Sequence, residues 1–324
     1  MCTAIAFHNN DFYFGRNLDL EYSYHEEITV TPRNYPFRFR NAKEISSHYA
    51  MIGMAYIQDD YPLYYEAVNE AGIGMAGLNF PGYADFKPCA EGKDNIAPFE
   101  FIPWILSQCS TMEQVREKLS VINLVDIPYN DQLPLTPLHW IIAGREESIT
   151  VESVKEGLIV YDNPVGVLTN SPQFSYHMTN LINYMDLSVD TPVNRFSEKI
   201  TLEPYSRGMG AMGLPGDLSS ASRFVKASFT KLNSCCDPTE DANVSQFFHM
   251  LGSVEQQRGC VRMPDGRYEI TIYSSCCNAD KGIYYYKSYE NSRICAVDMN
   301  REDLDGRELT AYPMLLKQSI KLQN

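Results

Sequence analysis

The sequence has 324 residues, of which 44% are hydrophobic and 21% are charged, and its formal net charge is −14. This composition is ordinary for a folded globular protein and excludes a largely disordered chain. The negative charge repels phosphate backbones and anionic membrane surfaces at long range, so we expect neither nucleic acid nor a membrane as partner. An anionic small molecule is not excluded, because buried arginines in a pocket act at short range.

The cysteines and the start of the chain bear on its location. MCTAIAFHNND lacks the basic and apolar segments of a signal peptide, and no long apolar run follows. The nine cysteines are an odd number with irregular spacing, which does not fit a disulfide framework. No C-x-x-C or H-x-x-x-H pair occurs, so we expect no metal and no cofactor. We predict a cytoplasmic protein whose cysteines after the second residue are buried and inert.

The first predicted element is a β-hairpin, in which TAIAF and FYFGR flank the turn-forming residues from His8 to Asp11. This hairpin would place Cys2 at the start of a strand on the edge of a sheet. Further strand-like runs are bounded by Gly, Asn, Asp or Pro. They are EITVTP, YAMIGMAYI, GIGMAGLNF, HWIIAG, SITVESV, GLIVYD and VGVLTN.

Helical periodicity appears in separate blocks. It begins at Ser110–Leu119, where Ser110 and Glu113 have the spacing of a capping box. Apolar residues then fall on one helix face in three segments, which are Phe174–Met185, Ala221–Leu232 and Val244–Leu251. Strand patterns return at YEITIYSSCCN, KGIYYYKSY and ICAVDM. Because strands and helices come in runs and do not alternate, we predict an α+β fold of antiparallel sheets covered by helices.

The segment 187–215 shows no sustained period and contains several Gly and Pro residues. Loops of this length within domains tend to be functional. Its composition is compatible with a surface excursion, a lid or an assembly element.

Cys2 follows the initiator methionine, and a residue this small normally allows that methionine to be removed. An N-terminal cysteine combines a thiol nucleophile with an α-amine whose usual pKa, about 7.7–8.0, suits base catalysis. Arg16 and Asp19 end the strand predicted to pair with that of Cys2, where a guanidinium would lower a thiol pKa and a carboxylate would orient an ammonium. The alternatives are that Cys2 is an incidental terminal cysteine, that Arg16 belongs to a structural ion pair and that Asp19 forms an Asx-turn. A further alternative is a conventional cysteine hydrolase with a base such as His177.

The sequence resembles the choloylglycine hydrolase family, which includes bile salt hydrolases and penicillin V acylases. The resemblance spans nearly the whole chain and is carried by MCTAIAF, FGRNLDLEYSY, VTPRNYPF, NEAGIGMAGLNFPGYA, PFEFIPWIL, PLHWIIA, GVLTNSPQFSYHMTNL, GLPGDLSSASRFVKA and KGIYYYKSYEN. It implies a four-layered αββα sandwich of the N-terminal nucleophile type, built as a single domain over residues 1–324. It also implies that 187–215 is an assembly loop of a homotetramer.

The same resemblance implies six catalytic residues, which are Cys2, Arg16, Asp19, Asn79, Asn170 and Arg223. Cys2 matches the nucleophile, and Asn79 and Asn170 match positions that bind the substrate carbonyl or its oxyanion. Amide donors are suited to this role because negative charge develops on the carbonyl oxygen during attack. Without the resemblance, the two asparagines would be interpreted as turn residues and Arg223 as part of a structural ion pair.

The position of Asn79 bears on the substrate, since penicillin V acylases usually have Tyr there. The resemblance therefore favours a bacterial bile salt hydrolase of lipid metabolism, which cleaves glycine- and taurine-conjugated bile salts through a Cys2 thioester. Segments that resemble steroid-facing loops add four pocket residues to Cys2, Arg16 and Asn79; they are Leu18, Tyr24, Tyr129 and Leu133. The rival hypotheses are a penicillin V or N-acyl-homoserine lactone acylase on the same scaffold, and a non-catalytic binding protein, which the presence of Cys2 and Asp19 disfavours.

Overall fold

Two large antiparallel sheets form the centre of the computed structural model, which describes residues 1–324. The strands of the first sheet are β1 (Cys2–Asn9), β2 (Asp11–Leu20), β12 (Val167–Leu168), β13 (Ile270–Asn278), β14 (Ile283–Ser288) and β15 (Cys295–Asp298). Their spatial order is β12-β1-β2-β13-β14-β15. The N-terminal hairpin thus pairs directly with strands from the C-terminal part of the chain.

The second sheet has eight strands. They are β3 (Glu27–Thr31), β4 (Met51–Gln58), β5 (Tyr61–Asn69), β6 (Gly74–Asn79), β9 (Leu138–Ala143), β10 (Ser148–Val154), β11 (Gly157–Asp162) and β16 (Thr310–Pro313). Their spatial order is β11-β10-β9-β6-β5-β4-β3-β16. Two short strands, β7 (Asp94–Ile96) and β8 (Ile122–Leu124), form a separate parallel pair.

Helices cover the outer faces of both sheets. They are α1 (Phe101–Leu106), α2 (Met112–Val121), α3 (Phe174–Leu181), α4 (Ser220–Leu232) and α5 (Glu240–Gly252). Helices α4 and α5 pack on β1, α1 packs on β5 and β6, and β1 and β2 pack against the second sheet. This arrangement is a four-layered αββα sandwich, which confirms the predicted fold class.

The hydrophobic core follows the layers. One cluster of 39 buried residues fills the space between the sheets and beneath α4 and α5, and a second cluster of 25 lies between the second sheet and α1 and α2. Between the sheets, a Cβ on Gly74 of β6 would lie 2.6 Å from the ring of Phe14 on β2. A larger residue than glycine would therefore push the sheets apart next to the strands that carry Cys2 and Arg16.

The predicted N-terminal hairpin is confirmed, and its register places Cys2 opposite Leu18 and Ala4 opposite Arg16. The prediction that its first strand is a sheet edge is wrong. The two-residue strand β12 pairs with Ala4 and Ile5 and covers that edge. Cys2 lies beyond the last of these pairs, so its backbone N–H is left for a side-chain partner.

The predicted capping box of α2 is displaced by one residue. The N-cap is Thr111, whose hydroxyl accepts a hydrogen bond from the backbone N–H of Gln114. The Gln114 side chain in turn accepts from the backbone N–H of Ser110 at 2.8 Å. Thr111 and Gln114, and not Ser110 and Glu113, therefore cap the helix, and Gln114 accepts from the residue before the N-cap instead of from the N-cap itself.

The segment 187–215 has little regular structure apart from a short 3₁₀ turn at Met209–Ala211. Several of its apolar side chains face solvent, with Phe196 82% and Tyr205 83% exposed. We predicted that the apolar face of 174–185 is buried. This is confirmed at Phe174 and is wrong at Met185, which is 77% exposed. The exposed apolar surface thus extends from the end of α3 into this segment.

All nine cysteines are free thiols. The prediction that those after Cys2 are buried is wrong for Cys89, Cys235 and Cys260, which are exposed. Cys109 is buried, and its burial raises the pKa of its thiol to about 11. None of the five helices combines the length and apolar composition needed to cross a bilayer.

Candidate active site

A cavity of about 330 Å³ lies next to Cys2, and 16 of its 24 lining residues are hydrophobic. Its walls come from β2, from β5 and β6 of the second sheet, and from the loop of residues 127–136. All four predicted steroid-facing residues line it, namely Leu18, Tyr24, Tyr129 and Leu133. Cys2, Arg16 and Asn79 also line it. An apolar cavity with a few polar groups beside a nucleophile is the usual form of a small-molecule site.

A larger open cleft of about 790 Å³ lies on the other side of Phe99 and Tyr129. It contains Arg38, Arg40 and Arg307 but none of the six predicted catalytic residues. The candidate active site is therefore the smaller cavity, because Cys2 lines that cavity and not the larger cleft.

Cys2 is 3% exposed and is held by polar groups from outside its own hairpin. Its backbone N–H donates to Oδ1 of Asn170 at 2.7 Å. This nitrogen would become the α-amine once Met1 is removed. Asn170 is therefore positioned to orient the amine, and the thiol on the same residue is attached to a fixed backbone.

Asn170 connects the predicted catalytic residues. Its Nδ2 donates to the backbone oxygen of Asn79 at 2.7 Å, and its own backbone N–H donates to Oγ of Ser220 at 2.8 Å. Its Oδ1 accepts from Nη2 of Arg223 at 2.7 Å, in addition to the bond from Cys2. Asn79 lines the cavity and Asn170 does not, and the side-chain amide of Asn79 has no hydrogen-bond partner within the protein, so Asn79 is the better candidate for a donor to a bound substrate.

Arg223, on α4, is buried behind Cys2 and is 1% exposed. Its Nη1 donates to the backbone oxygen of Cys2 and to Oγ1 of Thr3, and its Nε donates to the oxygen of Leu218 at 3.0 Å. Oδ2 of Asp19 lies 3.9 Å from Nη1. Burial lowers the pKa of Arg223, and the charges of Asp19 and Cys2 act in the opposite direction. A guanidinium remains charged under these conditions, so Arg223 balances the acidic groups around Cys2.

Asp19 is fully buried, and its Oδ1 accepts from the hydroxyl of Thr271 at 2.6 Å. Nε2 of Gln256 lies 3.5 Å from its Oδ2. The backbone of Asp19 pairs with Met1 in both directions, at 2.8 and 3.0 Å. Burial lowers the pKa of the Met1 amine. Cys2 is buried as well, and burial in general favours the neutral, basic form of an amine.

Arg16 is fully buried, and it lines the cavity together with Cys2. Its Nη1 donates to the backbone oxygens of Tyr65 at 3.0 Å and Gly77 at 2.6 Å. Its Nε lies 3.9 Å from a carboxylate oxygen of Glu66, and its Nη2 has no partner within the protein. Burial acts to lower the pKa of Arg16, but the charge of Cys2 and of nearby acidic groups outweighs burial and raises it.

His177, the alternative base, does not line the cavity. Its Nε2 lies 2.8 Å from the backbone oxygen of Asn170, which fixes a proton on that nitrogen. Its Nδ1 is buried without a partner, and burial lowers the pKa of the ring to about 4. A neutral imidazole that already donates to a carbonyl, and has no contact with Cys2, is poorly placed to accept the thiol proton.

Several residues that hold the site were not identified from the sequence, among them Thr3, Thr271, Gln256 and Ser220. They are common polar residues on strands, helices and loops, and no motif distinguishes them from surface residues. No group of three or more His, Cys, Asp or Glu side chains is arranged to hold a metal ion.

The family model for linear amide C-N hydrolases of the choloylglycine hydrolase family matches residues 2–312. The chain belongs to this family. The fold and the position of Cys2 as the first residue of β1 agree with membership in a family of amide hydrolases.

Two relatives in this family are similar to the chain over almost its full length. A bile salt hydrolase/transferase from Lactiplantibacillus plantarum is 58% identical over 314 residues, which cover 97% of each chain. A bile salt hydrolase/transferase from Clostridium perfringens is 42% identical over 318 residues, which cover 96% of each chain.

Solved structures agree with the fold. A mutant of conjugated bile acid hydrolase from Clostridium perfringens superposes with a TM-score of 0.92 at 40% identity, and the match covers 100% of both chains. Penicillin V acylase from Agrobacterium tumefaciens has a TM-score of 0.74 at 18% identity, covering 96% of this chain and 90% of the acylase. The second likeness concerns the fold alone.

Proposed function

We propose that this choloylglycine hydrolase cleaves the amide bond of glycine- and taurine-conjugated bile salts, with Cys2 as N-terminal nucleophile. One observation carries the proposal: Cys2, Arg16 and Asn79 line the same apolar cavity as Leu18 and Tyr129. A rigid apolar steroid fits such a lining, and the scissile amide would lie at the polar residues. The names of relatives at 58% and 42% identity agree with this substrate class.

In the proposed acylation step, the α-amine of Cys2 accepts the thiol proton and the sulfur attacks the amide carbon. The carbonyl π electrons move to oxygen, and the side-chain amide of Asn79 donates to this oxyanion. When the tetrahedral intermediate collapses, the C–N bond breaks, and the Cys2 ammonium protonates the departing glycine or taurine amine. The acyl group remains on sulfur as a thioester.

In the second half, water attacks the thioester carbon and the amine of Cys2 takes up its proton. The C–S bond then breaks, which releases the free bile acid and restores the thiol. Asn170 orients the amine by a hydrogen bond. Asp19 and Arg223 fix the backbone at the start of β1, and their opposite charges balance each other beside Cys2. Arg16 supplies a positive charge beside the thiolate and, through its unpartnered Nη2, a donor to the substrate.

The names of the relatives include transferase as well as hydrolase. The proposed thioester would react with an amine by the same route as with water, giving a new amide. We therefore propose amine transfer as a secondary reaction of this site. The alternative substrates, penicillin V and N-acyl-homoserine lactones, have less support, because the penicillin V acylase match is 18% identical and speaks only to the fold.

We further propose a single domain over residues 1–324 that assembles as a homotetramer through 187–215. The joining of N- and C-terminal strands within both sheets supports one domain, and the exposed Phe196 and Tyr205 support an assembly surface. We propose a cytoplasmic location on the basis of nine free cysteines. The bacterial relatives support a role in bacterial lipid metabolism.

The deciding assay measures glycine and taurine released from conjugated bile salts, beside penicillin V and an N-acyl-homoserine lactone, with Cys2→Ser as the inactive control. We expect release from the bile salts at rates well above those on the other substrates. Turnover of penicillin V or the lactone, with no release from bile salts, would refute the substrate assignment. Equal bile salt turnover by Cys2→Ser would refute the nucleophile.

A further inference from the structure

Glu66 is a fully buried acidic residue near the active site that the mechanism above does not use. It lies on β5, is 2% exposed, and reaches from the second sheet towards the first. Three hydroxyl groups of the first sheet donate to its carboxylate, those of Tyr273 at 2.8 Å, Ser275 at 2.9 Å and Tyr284 at 2.5 Å. Each carboxylate oxygen therefore has a partner from the opposite sheet.

The carboxylate of Glu66 also lies behind Arg16. Nε of Arg16 is 3.9 Å from Oε2 of Glu66, while Nη1 is fixed by two backbone oxygens. The hydroxyl of Ser275 accepts from the backbone N–H of Arg16 at 3.1 Å and donates to Glu66. Glu66 itself does not line the cavity and makes no contact with Cys2. Its ion pair with Arg16 is therefore the side-chain contact that joins it to the residues lining the cavity.

Burial and polar contacts act in opposite directions on Glu66, and the net effect raises the pKa of its carboxyl group. Burial raises the pKa of its carboxyl group, and Arg16 and the three hydroxyl donors act in the opposite direction. The titratable groups that face it are Arg16 on β2, Tyr273 and Cys277 on β13, and Tyr284 on β14. Arg16 is the one cation among them. Burying the Arg16 guanidinium without a counter-charge would cost free energy, and Glu66 supplies that counter-charge. Packing between the sheets does not by itself require a carboxylate at this position.

We infer that Glu66 is a positioning residue that acts through Arg16: its carboxylate lies behind the guanidinium and offsets part of the positive charge that Arg16 presents to the Cys2 thiol. The inference rests on the proposed role of Cys2 as nucleophile. Glu66, from the opposite sheet, would then determine how strongly the charge of Arg16 stabilises the Cys2 thiolate.

Glu66→Gln tests this, because it keeps the size and much of the hydrogen bonding but removes the charge. The readout is the rate of Cys2 alkylation by iodoacetamide against pH, followed by mass spectrometry of the Cys2 peptide. Site resolution is needed because Cys89, Cys235 and Cys260 are exposed. With its charge no longer offset, Arg16 should stabilise the thiolate more, which lowers the pH midpoint of alkylation by about one unit. Turnover of conjugated bile salts should fall about tenfold or more in kcat, with a smaller change in KM.

Glu100→Gln is the matched control, since Glu100 is equally buried but bonds only to the backbone N–H groups of Ala97 and Arg40. It should lower the melting temperature without moving the alkylation midpoint. Tyr284→Phe covers the case in which Glu66→Gln does not fold. It removes one of the three hydroxyl donors to Glu66, which raises the pKa of Glu66 further and reduces its charge, so the midpoint should shift in the same direction by less. A midpoint that is unchanged or raised in the folded variant overturns the inference. The alkylation assay uses no substrate and so tests the role of Glu66 alone. The release assay on the wild type tests the bile salt assignment separately.

Discussion

Acidification should weaken folding through His177, and the structure gives the size of the effect. The ring is fully buried, its Nε2 donates to the backbone oxygen of Asn170, and its Nδ1 has no partner. Burial lowers the pKa of His177 from 6.5 to about 4. The unfolded chain therefore takes up a proton near pH 6.5 that the folded protein refuses until about pH 4. Stability from the neutral ring is complete above pH 6.5 and is lost as the pH falls towards 4.

Each pKa unit corresponds to about 1.4 kcal/mol, so the contribution lost from this residue is about 2 kcal/mol by pH 5 and about 3 kcal/mol by pH 4. This is a large share of the stability of an ordinary domain, which is about 5–15 kcal/mol. Other acidic groups titrate in the same range, so the effect must be isolated as a difference between two variants.

His177→Gln provides that difference, because the Gln amide can still donate to Asn170 but does not titrate. Urea unfolding of both proteins at pH 7, 6, 5 and 4.5 gives the free energy of unfolding at each pH. We expect the wild type to lose about 2 kcal/mol more than the variant between pH 7 and pH 5. His249→Gln, at an exposed position on α5, should follow the wild type. Parallel curves for wild type and His177→Gln would refute the assignment of a neutral, buried ring.

Four further outcomes follow from the proposed chemistry and assembly. Cys2→Ser should abolish bile salt turnover with little change in melting temperature, since a hydroxyl is a far weaker acid than a thiol; residual wild-type rates would identify another nucleophile. An N-terminal extension that cannot be removed keeps the nitrogen of Cys2 in an amide, which should lower kcat about 100- to 10,000-fold. Mass spectrometry of the active wild type should give a mass that is one methionine lower than that of the full sequence. Asn79→Tyr should lower kcat/KM about 100- to 1000-fold by removing the oxyanion donor, and unchanged kinetics would make Asn79 a turn residue. Light scattering should give a tetramer mass that Phe196→Asp reduces, whereas a wild-type monomer at micromolar concentration would contradict the assembly loop.

The sequence was sufficient for elements whose pattern is local. The hairpin of β1 and β2, most strands of both sheets and the helices α4 and α5 all follow from periodicity and turn residues. Strand β5 did not, because Pro62 and Glu66 interrupt its apolar pattern, and those residues argue against a strand when the facing sheet is unknown. The partners of Glu66 lie more than 200 positions away, on β13 and β14.

The candidate site depended on resemblance more than on pattern. Cys2, Arg16 and Asp19 are linked by the hairpin, and their proximity can be predicted from its register. Asn170 meets Cys2 only because the two-residue strand β12 returns beside β1, which no periodicity signals. Arg223 approaches from the helix α4 on the outer layer. Such meetings between distant segments are properties of the topology, and local preferences carry no information about them.

Strands carry the reacting groups of the cavity and a loop forms another of its walls, which has a consequence for engineering. The reactive thiol, Arg16 and Asp19 belong to paired strands, where a change in one side chain disturbs several hydrogen bonds. Residues 127–136, which form another wall of the same cavity, belong to a loop that carries none of the reacting groups. Libraries confined to this loop should therefore change which acyl group is accepted while leaving the bond-breaking step intact. The scaffold is a natural starting point for hydrolases of other bulky amides.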